Sequence, residues 1–163
     1  MTRILFTAAL AGVAGTIGLS AQMKHVDIKD AKGTVIGMVM ISPVKGGGVS
    51  IDLDVRNLPP GEHAIHFHAV PKCEPPFTSA GGHFNPTNKP HGTHAGDMGN
   101  FTADAKGIAR TTIVNKNVTM GAEPNSIYAN GGTAIVIHAA ADDMKTDPSG
   151  NAGAVIACGA ITK

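Results

Sequence analysis

The sequence predicts an all-β protein, a sandwich or barrel of about eight antiparallel strands with two long loops. Three observations predict it. Glycine and proline are abundant, 21 and 10 residues of 163, which favours turns over long helices. Short stretches rich in Val, Ile and Met alternate apolar with polar residues. Turn-forming sequences separate these stretches at short intervals. The length suits one domain with a core of its own.

At the start of the chain, Met1-Thr2-Arg3 precedes an apolar run from Ile4 to Leu19, the charged head and short greasy middle of a secretory signal peptide. Ser20-Ala21 supplies small residues for cleavage, and the run is short for a membrane span. Residues 1–21 are therefore expected to be a signal peptide and 22–163 the folded domain, exported to a periplasmic or extracellular space. No cysteine lies where a lipoprotein anchor would attach.

Lys24 to Lys29 and Thr34 to Ile41 read as a hairpin around Asp30-Ala31-Lys32-Gly33. After Gly46-Gly47-Gly48, Val49, Ile51, Leu53 and Val55 alternate with Ser50, Asp52 and Asp54, so one face meets a core and the other water. Leu58-Pro59-Pro60-Gly61 turns the chain into His63 to His68. A second Asp-Ala-Lys-Gly, at 104–107, joins Phe101-Thr102 to Ala109–Val114 as another hairpin. Thr133 to His138 is a strong strand, and a last one runs near Ala154 to Cys158. The segments at about 70–98 and 139–153 are too long for hairpin turns, and long loops on a rigid β scaffold carry function.

Loss of residues 1–21 removes one charge, Arg3, and brings the formal balance from +1 to zero. With no run of Lys or Arg and no basic stripe interleaved with aromatics, nucleic acid is an unsuitable partner. Cys73 and Cys158 lie far apart in a chain bound for export, which favours a structural disulfide over a redox pair. Closing so long a loop is worth about 4 to 5 kcal/mol at most by loop-entropy reasoning. The alternative is two free thiols, one of them a metal ligand.

Six of the eight histidines, His63, His66, His68, His83, His91 and His94, fall between residues 63 and 94, and His138 stands alone downstream. Imidazole is the commonest protein ligand for zinc and copper, so the crowding points to metal. His66 and His68, two apart on a strand, share a face and can grip one ion; the alternative is a polar strand face. His63 is odd-spaced from both and reads as a buried histidine bonded to backbone. His83, His91, His94 and Asp97 supply three nitrogens and a carboxylate, a set suited to zinc, against the alternative of a solvated loop. His138, by itself a strand-end histidine, gains a use as a third nitrogen for the His66/His68 pair.

The sequence resembles the copper/zinc superoxide dismutase family, particularly its exported bacterial branch. The resemblance runs from about Lys24 to Ile161. It rests on Gly61-Glu62-His63-Ala64-Ile65-His66-Phe67-His68, Ser79-Ala80-Gly81-Gly82-His83-Phe84-Asn85-Pro86 and His94-Ala95-Gly96-Asp97. Ile137-His138 with Ala141-Asp142-Asp143, Gly150-Asn151-Ala152-Gly153 and Ala157-Cys158-Gly159 complete it. A Greek-key β-sandwich follows from the resemblance as well as from the strand pattern. The resemblance implies His66, His68, His83 and His138 as copper ligands and catalytic residues. His83, bridging through its other nitrogen, would join His91, His94 and Asp97 around zinc, which supports the proton that the bridge takes up. Asp142 would link a copper histidine to a zinc histidine. Cys73 and Cys158 match the family's disulfide. The implied reaction converts superoxide to dioxygen and hydrogen peroxide; a homodimer is compatible with the family, whose branches differ in their contacts.

Two departures stand out. Three residues before the second cysteine the family places an arginine that docks the anion beside copper, and here that residue is Val155. Turnover is expected to be slower, by roughly a factor of ten or more, and less salt-sensitive. Lys145 and Ser149, on the same loop, are candidates for partial substrate guidance. The connection from His91 to His94 is also shorter than in many relatives, which bears on zinc affinity. The rival readings are an exported copper-buffering protein on the same scaffold, with little dismutase activity, and a metal-free interaction module. His25 and the seven methionines fall outside the pattern and read as strand and core residues.

Overall fold

The computed structural model describes residues 23–163. The expected signal peptide, residues 1–21, lies outside the described residues. Among those described there are nine strands and no helix beyond two single 3-10 turns. The strands are β1 (Lys24–Asp30), β2 (Val35–Pro43), β3 (Val49–Val55), β4 (Gly61–His63), β5 (Ile65–His68), β6 (Phe101–Ala103), β7 (Ala109–Asn115), β8 (Thr133–His138) and β9 (Val155–Ile161). Seven form one antiparallel sheet in the order β5-β8-β9-β1-β2-β3-β7, and β4 pairs with β6. The strand stretches read from the sequence all occur. One difference is that His63 to His68 is two strands, broken at Ala64, with β4 and β5 pairing to different partners.

Burial follows the period-2 pattern. Val49, Ile51, Leu53 and Val55 are buried and the residues between them half-exposed, so the hydrophobic set of β3 faces the core and fixes its register with β2 and β7. Both Asp-Ala-Lys-Gly turns close in the same manner. The Asp30 carboxylate accepts from the amides of Lys32 and Thr34, both at 2.9 Å, and Asp104 accepts from Lys106 at 2.8 Å and Ile108 at 2.9 Å.

Strands β5 and β8 are buried on both faces. On one face Ile65, Phe67, Ile135 and Ile137 join the main core. Against the other, a smaller cluster of Phe77, Ala80, Ala134, Val136 and Cys158 seats the long segment 69–100. Phe77 anchors that cluster, and its burial contributes about 1.5–3 kcal/mol. A Cys73–Cys158 disulfide, Cα–Cα 5.6 Å, ties this loop to β9. His66, His68 and His138 are thereby enclosed between a rigid sheet and a covering loop.

Candidate metal centre

The loop reaches the histidines by behaving as an extra strand. Along the free edge of β5, Ala69 N–H donates to Gly82 O (2.9 Å), Phe84 N–H to Phe67 O (2.8 Å) and Phe67 N–H to Gly96 O (2.9 Å). These bonds bring His83 opposite His68 and Asp97 opposite His66. At the other edge, β8 pairs with β5, and its end is clamped by Ala64, which accepts from His138 N–H (2.9 Å) and donates to Ala140 O (2.9 Å). Both ring nitrogens of the buried His63 lie against carbonyls, those of His138 at 2.8 Å and Pro59 at 2.7 Å. His63 is thus a backbone clamp for the end of β8, in keeping with its odd spacing.

Two groups of side chains converge. One comprises His66, His68, His83 and His138, the other His83, His91, His94 and Asp97, and within each group one ligand atom per residue lies within 4.8 Å of the rest. His83 belongs to both. Its ring centroid is 4.0 Å from that of His66, 5.1 Å from His68, 5.3 Å from His91 and 5.5 Å from His94.

In the first group one nitrogen of each ring is engaged. His66 Nε2 donates to Asp142 Oδ2 (2.8 Å), His68 Nδ1 to Gly81 O (2.7 Å), His138 Nδ1 to Gly153 O (3.0 Å) and His83 Nδ1 to Asp97 Oδ1 (2.8 Å). The remaining atoms, His66 Nδ1 and the Nε2 atoms of His68, His83 and His138, are buried without any partner. Orphaned buried polar atoms are costly, and four lone pairs facing one another suit a cation. This donor set fits copper. In the second group His91 Nδ1 is likewise unpartnered, His94 Nδ1 lies 3.1 Å from Asp97 Oδ1 and 3.5 Å from His83 Nδ1, and His91 Nδ1 is 3.6 Å from Asp97 Oδ2. Three imidazole nitrogens about one carboxylate fit zinc.

Electrostatics favours the ligating forms. Burial, reinforced by the neighbouring His83 and His138, pushes the His66 and His68 imidazoles down to about 3. Burial also lowers His138. These rings stay neutral at physiological pH, lone pairs free. Burial works against ionisation of Asp97, but hydrogen bonds from His83 and the His94 amide, with the charges of both rings, outweigh it and bring the carboxyl to about 2.

Asp142 joins the groups. Its Oδ2 accepts from His66, its Oδ1 from His91 Nε2 at 2.9 Å and from the Met144 amide at 2.6 Å, and despite burial these bonds hold its carboxyl below the usual range. Asn100 grips its backbone twice, Nδ2 donating to Asp142 O (3.0 Å) and Oδ1 accepting from Asp142 N–H (2.8 Å). Asn115, at the end of β7, donates to Ala95 O (2.9 Å) and Asp97 O (3.3 Å) and steadies the other loop. Sequence reasoning missed both asparagines, since a lone Asn beside a strand carries no spacing signal.

The short His91–His94 link depends on Gly92, whose φ is +82° and whose Cα faces Met144 O so closely that an added Cβ would come within 2.6 Å of it. Gly150, φ +64°, is as constrained: a Cβ there would overlap the Asp142 carboxylate and approach His91 Nε2 to 2.6 Å. Val155 pairs with His138 across β8 and β9 and packs beside Cys73 against the small cluster, so an apolar side chain occupies that position. Lys145 is exposed and Ser149 half-buried on the segment 139–154.

Comparison with known proteins agrees with this geometry. Residues 35–161 match the family described as copper/zinc superoxide dismutase (SODC). Superoxide dismutase [Cu-Zn] 1 of Aquifex aeolicus (strain VF5) is 45% identical over 163 aligned positions, covering 94% of this chain and 96% of the relative. A crystal structure of a mutant SOD-like protein from Bacillus subtilis superposes with a TM-score of 0.82 at 35% identity, covering 85% of this chain and 97% of that one. The Cu/Zn superoxide dismutase from Brucella abortus superposes at 0.71 with 28% identity, covering 86% and 99%.

Proposed function

The chain belongs to the copper/zinc superoxide dismutase family, and we propose that it converts superoxide to dioxygen and hydrogen peroxide with His66, His68, His83 and His138 holding copper and His83, His91, His94 and Asp97 holding zinc. The observation that carries the residue assignment is the set of four orphaned ring nitrogens facing one another while the opposite nitrogen of each ring is engaged.

Copper, when bound, supplies the one-electron chemistry: one superoxide is oxidised to dioxygen and a second, with two protons, is reduced to hydrogen peroxide. The chain positions and protonates. Asp142, Gly81 and Gly153 accept from His66, His68 and His138 and so fix the tautomer of each ring. His83 is the proton carrier. Its Nε2 faces the copper set and its Nδ1 the zinc set, so a proton taken at Nε2 leaves the Nδ1 side anchored. Asp142 holds His66 and His91 in one orientation. Val155 provides no cation to draw in the anion, and Lys145 and Ser149 give the loop its remaining polar guidance. The apolar start of the chain supports export, where the disulfide persists.

Metal content and superoxide decay measured on one sample at several ionic strengths test this reading. Dismutation that tracks copper loading, with little dependence on salt, is expected. Full copper loading with no dismutation would overturn it and leave a copper-buffering protein.

A further inference from the structure

The outer face of β1 and β2 carries soft donors that the dismutase centre does not use. On β1, His25 and Asp27 point outward, on either side of the buried Val26; on β2, Met38 and Met40 point outward, on either side of the buried Val39. Register pairs His25 with Met40 and Asp27 with Met38. The next strand extends both rows, Met40 meeting Asp52 and Met38 meeting Asp54. Met38 is 47% exposed.

Directly opposite residues on one face have Cβ atoms about 4.5–5.5 Å apart and diagonal ones roughly 7–8 Å, within reach of long side chains. The His25 imidazole and the flexible thioethers of Met38 and Met40 can therefore meet at one point above the sheet. A shallow depression of about 320 Å³ opens beside Met38, with Asp27, Asp54 and Arg56 among its lining residues. Asp54 Oδ1 is shielded there with no hydrogen-bond partner, although Oδ2 accepts from Arg110 at 3.1 Å.

We propose that His25, Met38 and Met40 form a third metal position, a surface site for one copper(I) ion, with Asp27 beside Met38 on the same face. Thioether sulfur with imidazole selects soft monovalent copper over zinc, which prefers thiolate, imidazole and carboxylate. The site draws on β1 and β2, whereas the buried centre draws on β5, β8 and the loops. It stands independently of the dismutase reading.

Silver(I), a closed-shell stand-in for copper(I), tests it on the metal-loaded protein with its copper kept in the cupric state, so that nothing in the sample reduces the silver. One silver ion per chain is expected beyond the two resident metals in native mass spectra, with the methyl resonances of Met38 and Met40 and the ring of His25 shifting together. Met38→Leu with Met40→Leu keeps the face's volume and should weaken silver binding by roughly tenfold or more while leaving the resident metals in place. No third ion, shifts confined to other methionines, or unchanged affinity in the double variant would each overturn the proposal.

Discussion

Three single residues set the chemistry's limits. At Val155 the missing cation decides speed: Val155→Arg should raise kcat/KM by roughly tenfold and make it fall with added salt, because a fixed charge beside a reacting anion aids encounter and docking. Pulse-radiolytic decay of superoxide across a salt series measures both effects, and an unchanged rate would refute the electrostatic account. Asp142 decides orientation. Asp142→Asn replaces one accepting oxygen with a donating amide NH2 that faces an N–H of His66 or His91, and metal affinity should drop about 10–100-fold. Chelator competition reads this directly. Gly150 decides clearance: Gly150→Ala must adopt a left-handed backbone at a cost of about 1–2 kcal/mol and displaces the Asp142 carboxylate as well. Its melting temperature and its metal retention should both fall, whereas loss of stability alone would leave the carboxylate undisturbed.

At the scale of elements, the strands were legible in the sequence because each needs only a local period of two and a turn at its end. Val49–Val55 and Thr133–His138 match their expected bounds residue for residue. The break at Ala64 was not legible, since it arises from β4 and β5 choosing different partners. The sequence suggested both groups, the loop set from its compact spacing and His66, His68 and His138 from strand spacing, while the sharing of His83 came only from family resemblance. What could not be read was how a loop without regular structure reaches its place: it pairs as a strand with the edge of β5 and is gripped at Ala95 and Asp97 by Asn115 from outside. The outward pairing of His25 with Met40 was hidden for the same reason, because clustering across strands leaves no clustering along the chain. The reading of the methionines as strand and core residues holds for Met38 and Met40 on β2 and for the buried Met98, but Met23 and Met144 are exposed outside the strands.

For the molecule as a whole, one architecture serves both stability and chemistry. The imidazoles of His66 and His68 fall to about 3 on folding, while in the unfolded chain they return to 6.5, so the unfolded state binds more protons between these values. Stability of the metal-free protein should therefore be complete above about pH 6.5 and decline as pH falls toward 3. Asp97 acts in the same direction lower down, its contribution waning below 3.8 and disappearing through about 2. Denaturant midpoints of chelator-treated protein between pH 7 and pH 4 measure the slope, and a flat profile would contradict the burial argument. Bound metal should steepen the loss, since protons compete for the same lone pairs. The catalytic reading depends on two ions sharing the ring of His83. Anomalous diffraction at the copper and zinc edges of a crystal of the loaded protein tests that sharing most directly. The account predicts copper against His66 Nδ1 and the Nε2 atoms of His68, His83 and His138, with zinc against His83 Nδ1, His91, His94 and Asp97. Copper placed away from His83, or a lone ion with no neighbour across that ring, would contradict it.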